Sequence, residues 1–197
     1  MTETPSPTTS MDDHARPPGD LAIWIFICAE LLVFAVFFAS YAFTRANHVE
    51  LFNEWQQHLN RNYALLNTLA LITSSYFVVR AIAAIREGFR STSLRWLLAA
   101  IAMGALFLVV KSMEYAEHYS QGINLRTNLF FMFYFSLTFF HFMHVLLGMV
   151  ILGANAAILS RGGYSPENHR GMETGGSYWH MVDLVWLILF PLVYVMR

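Results

Sequence analysis

Several ionisable side chains lie inside otherwise apolar segments of the chain. His141 and His144 stand in "FFMFYFSLTFFHFMHVLLGMVILG", and His180 and Asp183 repeat the same spacing in "YWHMVDLVWLILFP". Residues three apart in a helix share a face, so each pair would present two polar groups to one neighbour. Glu30 stands alone in "FICAELLVF". Ionisable groups in such surroundings are expected to have partners inside the protein.

These residue types are suited to metal binding, to proton transfer or to hydrogen bonds between helices. The di-iron helical bundles require Glu-x-x-His pairs, whereas this chain offers His-x-x-His and His-x-x-Asp. We therefore expect no metal ion and no cofactor on this chain. A buried carboxyl such as Glu30 is a candidate for a proton-linked role. The simplest interpretation is a buried polar network that joins helices, in which Asp183 bonds a histidine.

The composition indicates a membrane protein. Of 197 residues, 56% are hydrophobic and only 13% are charged, whereas about 25% are charged in an ordinary soluble domain. A formal net charge of −1 gives no indication of nucleic-acid binding. Cys28 is the single cysteine, which excludes an intrachain disulfide.

Five apolar segments are long enough to cross a bilayer as helices. The fold class predicted is therefore all-α, a polytopic bundle of five transmembrane helices over residues 21–197. Residues 1–20 are rich in proline and polar side chains and are predicted to form a disordered cytoplasmic tail. The segments are Leu21 to Phe43, Tyr63 to Ile85, Leu94 to Ala116, Leu129 to Leu159 and Tyr178 to Val195, with candidate N-caps Asp20, Asn62, Ser93, Asn128 and Ser177.

The distribution of arginine predicts the orientation. With the N-terminus inside, seven arginines fall on the cytoplasmic side and four on the outer side. The positive-inside rule therefore predicts the N-terminus in and the C-terminus out. Trp24, Trp96 and Trp179 would then lie near the cytoplasmic interface, where amphipathic rings are favoured.

Helix geometry assigns approximate depths to the polar residues. Asn67, Lys111 and Glu114 are predicted to lie towards the outer surface, where Lys111 would snorkel to water and pair with Glu114. The remaining polar residues would form a cluster in the inner half of the bundle, comprising Glu30, His141, His144, His180 and Asp183.

Other residues predict packing and surface properties. Gly148 and Gly153, with Ala154, are predicted to allow helices to approach closely. Pro191 should bend the last helix, because it lacks a backbone donor. The basic stretch from Arg80 to Arg95 is predicted to be an anchoring loop, with unspecific binding of anionic lipid as a second interpretation.

Five ordered blocks resemble cytochrome c oxidase subunit III over nearly all of the chain after residue 20. They are "FICAELLVFAVFFASYAF", "LLNTLALITSS", "VVKSMEYAEHY", "LTFFHFMHVLLG" and "YWHMVDLVWLILFPLVY". Within that family the segments "LLNTLALITSS" and "YWHMVDLVWLILFP" most resemble those of the NorE-type accessory protein of bacterial nitric oxide reductase.

The resemblance implies a subunit that carries no haem or copper and packs beside a catalytic haem-containing subunit. The family typically has seven helices, binds lipid in a cleft and supports stability and proton uptake. This sequence lacks counterparts of the first two helices. Glu30 matches the buried carboxyl of the family, and its other polar positions match Glu114, His141, His144, His180 and Asp183.

The resemblance therefore predicts a non-catalytic accessory subunit of a haem-copper oxidase superfamily complex, in particular nitric oxide reductase, in a bacterial inner membrane. Haem and iron or copper would belong to the catalytic partner, and membrane lipids would be further partners. Subunit III of an oxygen-reducing cytochrome c or ubiquinol oxidase is an alternative. An autonomous proton or ion transporter using Glu30 and the histidines is another, although the chain has no evident repeat.

Overall fold

The computed structural model describes residues 21–196, and over that range the chain is all-helical. Five long helices are apolar enough to cross a membrane, which confirms the prediction of five spans. The tail predicted for residues 1–20 and the cap predicted at Asp20 lie outside the described residues. The elements are α1 (Leu21–Asn47), α2 (Val49–Gln56), α3 (Arg61–Arg86), α4 (Arg90–Ser120), α5 (Leu129–Ser160), α6 (Arg170–Phe190) and a π-helical turn (Pro191–Val195).

The N-terminal caps of α3 and α5 are asparagines. Asn128 accepts a 2.9 Å hydrogen bond from the Phe131 amide, which confirms the cap predicted for α5. In α3 the cap is Asn60 rather than Asn62, because the side chain of Asn60 accepts a 3.0 Å bond from the Asn62 amide. Each cap satisfies one backbone donor that the first helical turn leaves unpaired.

Two predicted caps are wrong, since α4 and α6 begin before the apolar segments do. Ser93 lies inside α4 and donates a 2.7 Å hydrogen bond to the Ala81 carbonyl on α3. Ser177 lies inside α6 and donates a 3.0 Å bond to the Glu173 carbonyl. An apolar run marks the part of a helix suited to hydrocarbon, whereas the helical hydrogen bonds continue through polar residues at its ends.

Helix α2 is a short element that the sequence analysis did not predict. It places Phe52 and Gln56 in the interior, where the Phe52 ring meets Tyr41 edge to face at 5.3 Å between centroids. Gln56 donates a 2.9 Å hydrogen bond to the Val193 carbonyl in the π turn. The helix therefore joins the end of α1 to the end of α6, and its eight residues are too few for a hydropathy signal.

Helix α1 is the most peripheral of the five long helices. Only 11% of its apolar window is buried, against 50% in α3 and 56% in the last span. Its contact with the bundle runs along Ile27, Phe34 and Tyr41, which recur every seven residues and are almost fully buried. Seven residues are close to two helical turns, so these side chains form one narrow seam.

Trp179 fills the space where three helices meet. It is fully buried, between Gly104 of α4 and Gly148 of α5. A Cβ on Gly148 would lie 2.7 Å from Trp179 Cε3, and one on Gly104 would lie 2.8 Å from Trp179 Cη2. The indole therefore occupies space that any larger residue would need. The ring of Trp179 is therefore enclosed by three helices and is not exposed to the surroundings of the bundle.

The small residues of α5 that were predicted to allow close approach of helices have different outcomes. Gly148 allows close packing as predicted. A Cβ added at Gly153 would meet no neighbour within 4 Å, and Ala154 is exposed, so the prediction is wrong for both.

Alanine substitution at two glycines of the same helix is expected to have opposite effects. Gly148→Ala should lower the free energy of unfolding by about 1–3 kcal/mol, because its methyl group would overpack against Trp179. Gly153→Ala should be neutral or raise it by about 0.5–1 kcal/mol, since alanine is the better helix former. Thermal unfolding of both variants in the same detergent measures the difference, and equal midpoints would contradict the packing described.

The end of α6 changes its hydrogen bonding at Pro191. The α-helix ends at Phe190, and the following turn is π-helical, with Met196 N donating to Pro191 O at 2.9 Å. Proline cannot donate to the preceding turn, which accounts for the break in the α-helical pattern. The turn directs Val193 and Tyr194 into the interior.

Candidate functional site

The most enclosed polar group is a cluster of Lys111, Glu114, Tyr134 and Tyr194, called the lysine cluster below. Lys111 Nζ donates to Glu114 Oε2 at 2.9 Å, to Tyr134 Oη at 3.1 Å and to Tyr194 Oη at 2.6 Å. Both tyrosines donate in turn to Glu114 Oε1, at 2.8 and 2.9 Å. All three donors of the ammonium group are thereby satisfied without water.

The lysine cluster corrects the prediction made for Lys111. The predicted pairing with Glu114 is confirmed, but the lysine does not snorkel to water, since its side chain is 0% exposed. The ammonium lies 5.1 Å from the ring centroid of Tyr115 and 5.7 Å from that of Trp186, within the range of cation–π attraction. Carboxylate, hydroxyls and ring faces together replace the water that the charge would otherwise need.

Three elements assemble the lysine cluster. Lys111 and Glu114 are one turn apart on α4, Tyr134 comes from α5 and Tyr194 from the π turn. Tyr134 lies seven residues before His141 on the same helical face, so the spacing could have suggested it. Tyr194 carried no such signal, because its direction depends on the break at Pro191.

Glu30 and His144 form a second polar pair, between α1 and α5. Glu30 Oε2 lies 3.0 Å from His144 Nε2, and His144 Nδ1 donates to the Phe140 carbonyl at 2.8 Å. Since Nδ1 donates to that carbonyl, Nε2 is the ring nitrogen that faces the Glu30 carboxyl group. Glu30 is 21% exposed, so the pair lies at the edge of the seam rather than in its centre.

His141 lies apart from that pair, in an aromatic enclosure. Its ring is 5.2 Å from Trp186 and 5.7 Å from Phe107 between centroids, and it is fully buried. Neither ring nitrogen has a hydrogen-bond partner within residues 21–196. The Trp186 indole instead donates to Thr68 Oγ1 at 3.0 Å, which links α6 to α3.

Among the described residues, His180 and Asp183 form no hydrogen bond with each other, and His180 bonds a residue of another helix. His180 Nδ1 lies 2.6 Å from Ser75 Oγ on α3. Asp183 has no hydrogen bond to a histidine in the described part of the chain, and its Oδ1 has no hydrogen-bond partner there. The prediction that Asp183 bonds a histidine is therefore wrong, because the partner of His180 comes from another helix.

The structure thus divides the predicted inner cluster into separate sites. Glu30 and His144 are brought together, whereas His141 and the His180–Ser75 pair lie in their own surroundings. Asn67 is fully buried, with neither amide atom bonded to a described residue. Among the buried polar residues that the sequence analysis missed are His118, Gln56, Ser75, Tyr134 and Tyr194.

The polar side chains of the bundle do not converge on a metal-binding geometry. No group of three or more His, Cys, Asp or Glu side chains within residues 21–196 is arranged to hold a metal ion. The polar groups instead pair across helices, an arrangement suited to joining the helices of the bundle.

Comparison with known proteins gives consistent matches across the chain. The family model described as cytochrome c oxidase subunit III matches residues 18–197. Cytochrome c oxidase subunit 3 of Thermostichus vulcanus is 34% identical over 188 residues, covering 93% of this chain and 92% of that protein. Cytochrome bo(3) ubiquinol oxidase subunit 3 of Pseudomonas aeruginosa is 25% identical over 187 residues, covering 93% and 89%. Heme-copper oxidase subunit I+III of Aeropyrum pernix is 30% identical over 185 residues, covering 88% and 22%.

Proposed function

The chain belongs to the cytochrome c oxidase subunit III family, and we propose that it is a non-catalytic accessory subunit of a haem-copper oxidase superfamily complex. The observation that carries the proposal is a family match over residues 18–197, which includes every helix described above. Its role would be to aid assembly, stability or activity of the complex in electron transport, without a cofactor of its own.

The geometry of the polar groups supports an accessory role. Lys111 and Glu114 are enclosed, with exposed fractions of 0% and 1%, and their hydrogen-bonding capacity is taken up by two tyrosines. A group that acts on a substrate has to be reached by it, whereas this cluster ties α4, α5 and the π turn together. Membership of the family likewise does not favour an autonomous transporter.

The partner proposed is a catalytic membrane subunit that holds haem with iron or copper. The Aeropyrum pernix relative supports this, since its name describes subunits I and III in one protein, of which this chain covers 22%. Within the bacterial inner membrane we place the N-terminus inside and the C-terminus outside. The support is the excess of arginine in the loops that this topology assigns to the cytoplasm.

The finer proposal is that the catalytic partner is nitric oxide reductase. It is supported by the resemblance of "LLNTLALITSS" and "YWHMVDLVWLILFP" to NorE-type accessory proteins. The Thermostichus vulcanus and Pseudomonas aeruginosa relatives carry the names of a cytochrome c oxidase and a ubiquinol oxidase. The haem type of the partner distinguishes these complexes, because the proposed accessory subunit does not itself contact the gas substrate.

Native purification tests both the accessory role and the identity of the catalytic partner. The tagged full chain, solubilised gently from its own membrane, is expected to retain nitric oxide reductase subunits with b- and c-type haems. Partner mass spectrometry and a reduced-minus-oxidised optical spectrum identify them, with an equally tagged unrelated membrane protein as the control. Oxidase subunits with a- or o-type haem would overturn the finer proposal alone. A chain that purifies without haem or partner would contradict both.

A further inference from the structure

The segment after α6, residues 191–196, covers one side of the lysine cluster and is called the strap below. Tyr194 Oη accepts a 2.6 Å hydrogen bond from Lys111 Nζ and donates one of 2.9 Å to Glu114 Oε1. Val193 and Tyr194 are fully buried, whereas the two residues that follow them are half exposed. The strap therefore has an inner side that encloses the ion pair and an outer side that faces the surroundings.

Two side chains from the corner between α1 and α2 hold the strap in place. Gln56 donates a 2.9 Å hydrogen bond to the Val193 carbonyl, in the interior. Arg45 Nη2 donates a 2.8 Å hydrogen bond to the Met196 carbonyl, at an exposed position. The corner thus holds the backbone of the strap on both sides of its buried tyrosine.

The strap and the corner that holds it are loosely attached to the bundle. The corner lies at the end of α1, and only 11% of the apolar window of α1 is buried. A cavity of about 280 Å³ lies between Arg45 and Ala46 on the corner and Leu192 and Met196 on the strap. Sparse packing and exposed hydrogen bonds are typical of segments that open locally, at a lower free-energy cost than global unfolding.

The ion pair under the strap lies close to the end of the bundle that carries α2. Lys111 is nine residues from the last residue of α4, which is about 14 Å along the helix axis. With the strap displaced, Lys111 would keep its bonds to Glu114 and Tyr134 and lose the bond to Tyr194. Access to the ammonium group therefore does not require the helices to separate.

We propose that the strap opens and closes over the lysine cluster while the helices stay packed, and that Arg45 and Gln56 hold it shut. In the closed state Tyr194 separates the ion pair from water. In the open state water and small solutes reach Lys111 and Glu114 from the end of the bundle that carries α2. Arg45 and Gln56 are positioning residues, because they act on the ion pair through the backbone of the strap.

Acylation of Lys111 measures this opening, because Lys111 is the only lysine of the chain. The purified full chain in detergent is treated with sulfo-N-hydroxysuccinimide acetate at constant pH. Mass spectrometry of the peptide that contains Lys111 gives the rate of modification, which follows the population of the open state. Arg45→Gln and Gln56→Leu are each expected to raise this rate about tenfold, the factor expected when one hydrogen bond is lost.

Matched variants separate the strap from surface charge and from global stability. Arg61→Gln removes an equal charge at an exposed position, and Gln57→Leu makes the same change as Gln56→Leu at the exposed neighbouring residue. Both controls should leave the rate of modification unchanged. Trp179→Ala weakens the packing of α4, α5 and α6 away from the strap, so it should also leave the rate close to that of the wild type.

Two results would overturn the proposal. One is a wild-type rate of modification in either Arg45→Gln or Gln56→Leu, which would mean that this hydrogen bond does not control access to the ion pair. The other is a rise in Trp179→Ala equal to or greater than the rise in Arg45→Gln. That result would mean that the reagent reaches Lys111 through unfolding of the bundle and not through opening of the strap.

Discussion

Lys111→Met is expected to lower the free energy of unfolding by about 3–5 kcal/mol, the cost of removing one member of a buried ion pair. Lys111 is the only lysine of the chain, and its side chain is 0% exposed. The substitution would leave Glu114 enclosed among two tyrosine hydroxyls with no positive charge to balance it. Methionine is similar in volume, so loss of packing contributes little to the effect.

The double variant Lys111→Met/Glu114→Gln separates charge from geometry. It removes both charges and should recover most of the stability lost in Lys111→Met, since buried ion pairs contribute little when both members are replaced. Arg126→Met, at an exposed loop position, is the matched control and should change stability by no more than about 0.5 kcal/mol. Thermal unfolding in detergent, followed by circular dichroism, gives the ranking. Equal stability of Lys111→Met and Arg126→Met would contradict the enclosed ion pair.

Trp179→Ala is expected to lower the free energy of unfolding by about 3–5 kcal/mol, as for other large side chains removed from well-packed interiors. Trp179 fills the space between Gly104 on α4 and Gly148 on α5. In a bilayer the lipid chains are as apolar as the protein interior, so close packing rather than transfer from water holds helices together. The cavity left by the indole would remove that packing from three helices at once.

Trp96→Ala is the matched control for this second prediction. Trp96 is half-buried near the start of α4, where it contacts Phe77 at 5.3 Å between centroids. Its loss should cost about 1 kcal/mol, the typical effect of a substitution outside a dense core. Trp179→Phe should fall between the two alanine variants, because it keeps part of the ring. A loss in Trp179→Ala no greater than in Trp96→Ala would contradict the central position of the indole.

The sequence could not predict which glycine of α5 and which tryptophan pack in the core. Gly148 and Gly153 are five residues apart in one apolar helix, and no local feature distinguishes the one that contacts Trp179 from the one that faces open space. Trp179 follows a polar stretch, which is typical of an interfacial ring. Its position in the core depends on α6 beginning at Arg170, well before the apolar run.

The five spans and the pairing of Lys111 with Glu114 were determined by the sequence itself. In a bilayer each helix satisfies its own backbone hydrogen bonds, so the length of an apolar segment is enough to predict a membrane-spanning helix. Lys111 and Glu114 meet by local geometry, because residues three apart on a helix are neighbours. The enclosure of Lys111, the partner of Glu30 and the partner of His180 were decided only by the tertiary structure. Tyr134 and Tyr194 are 23 and 83 residues from Lys111 in the sequence, and His144 is 114 residues from Glu30. Local spacing does not distinguish these partners from other polar residues, so only the packing of the helices selects them.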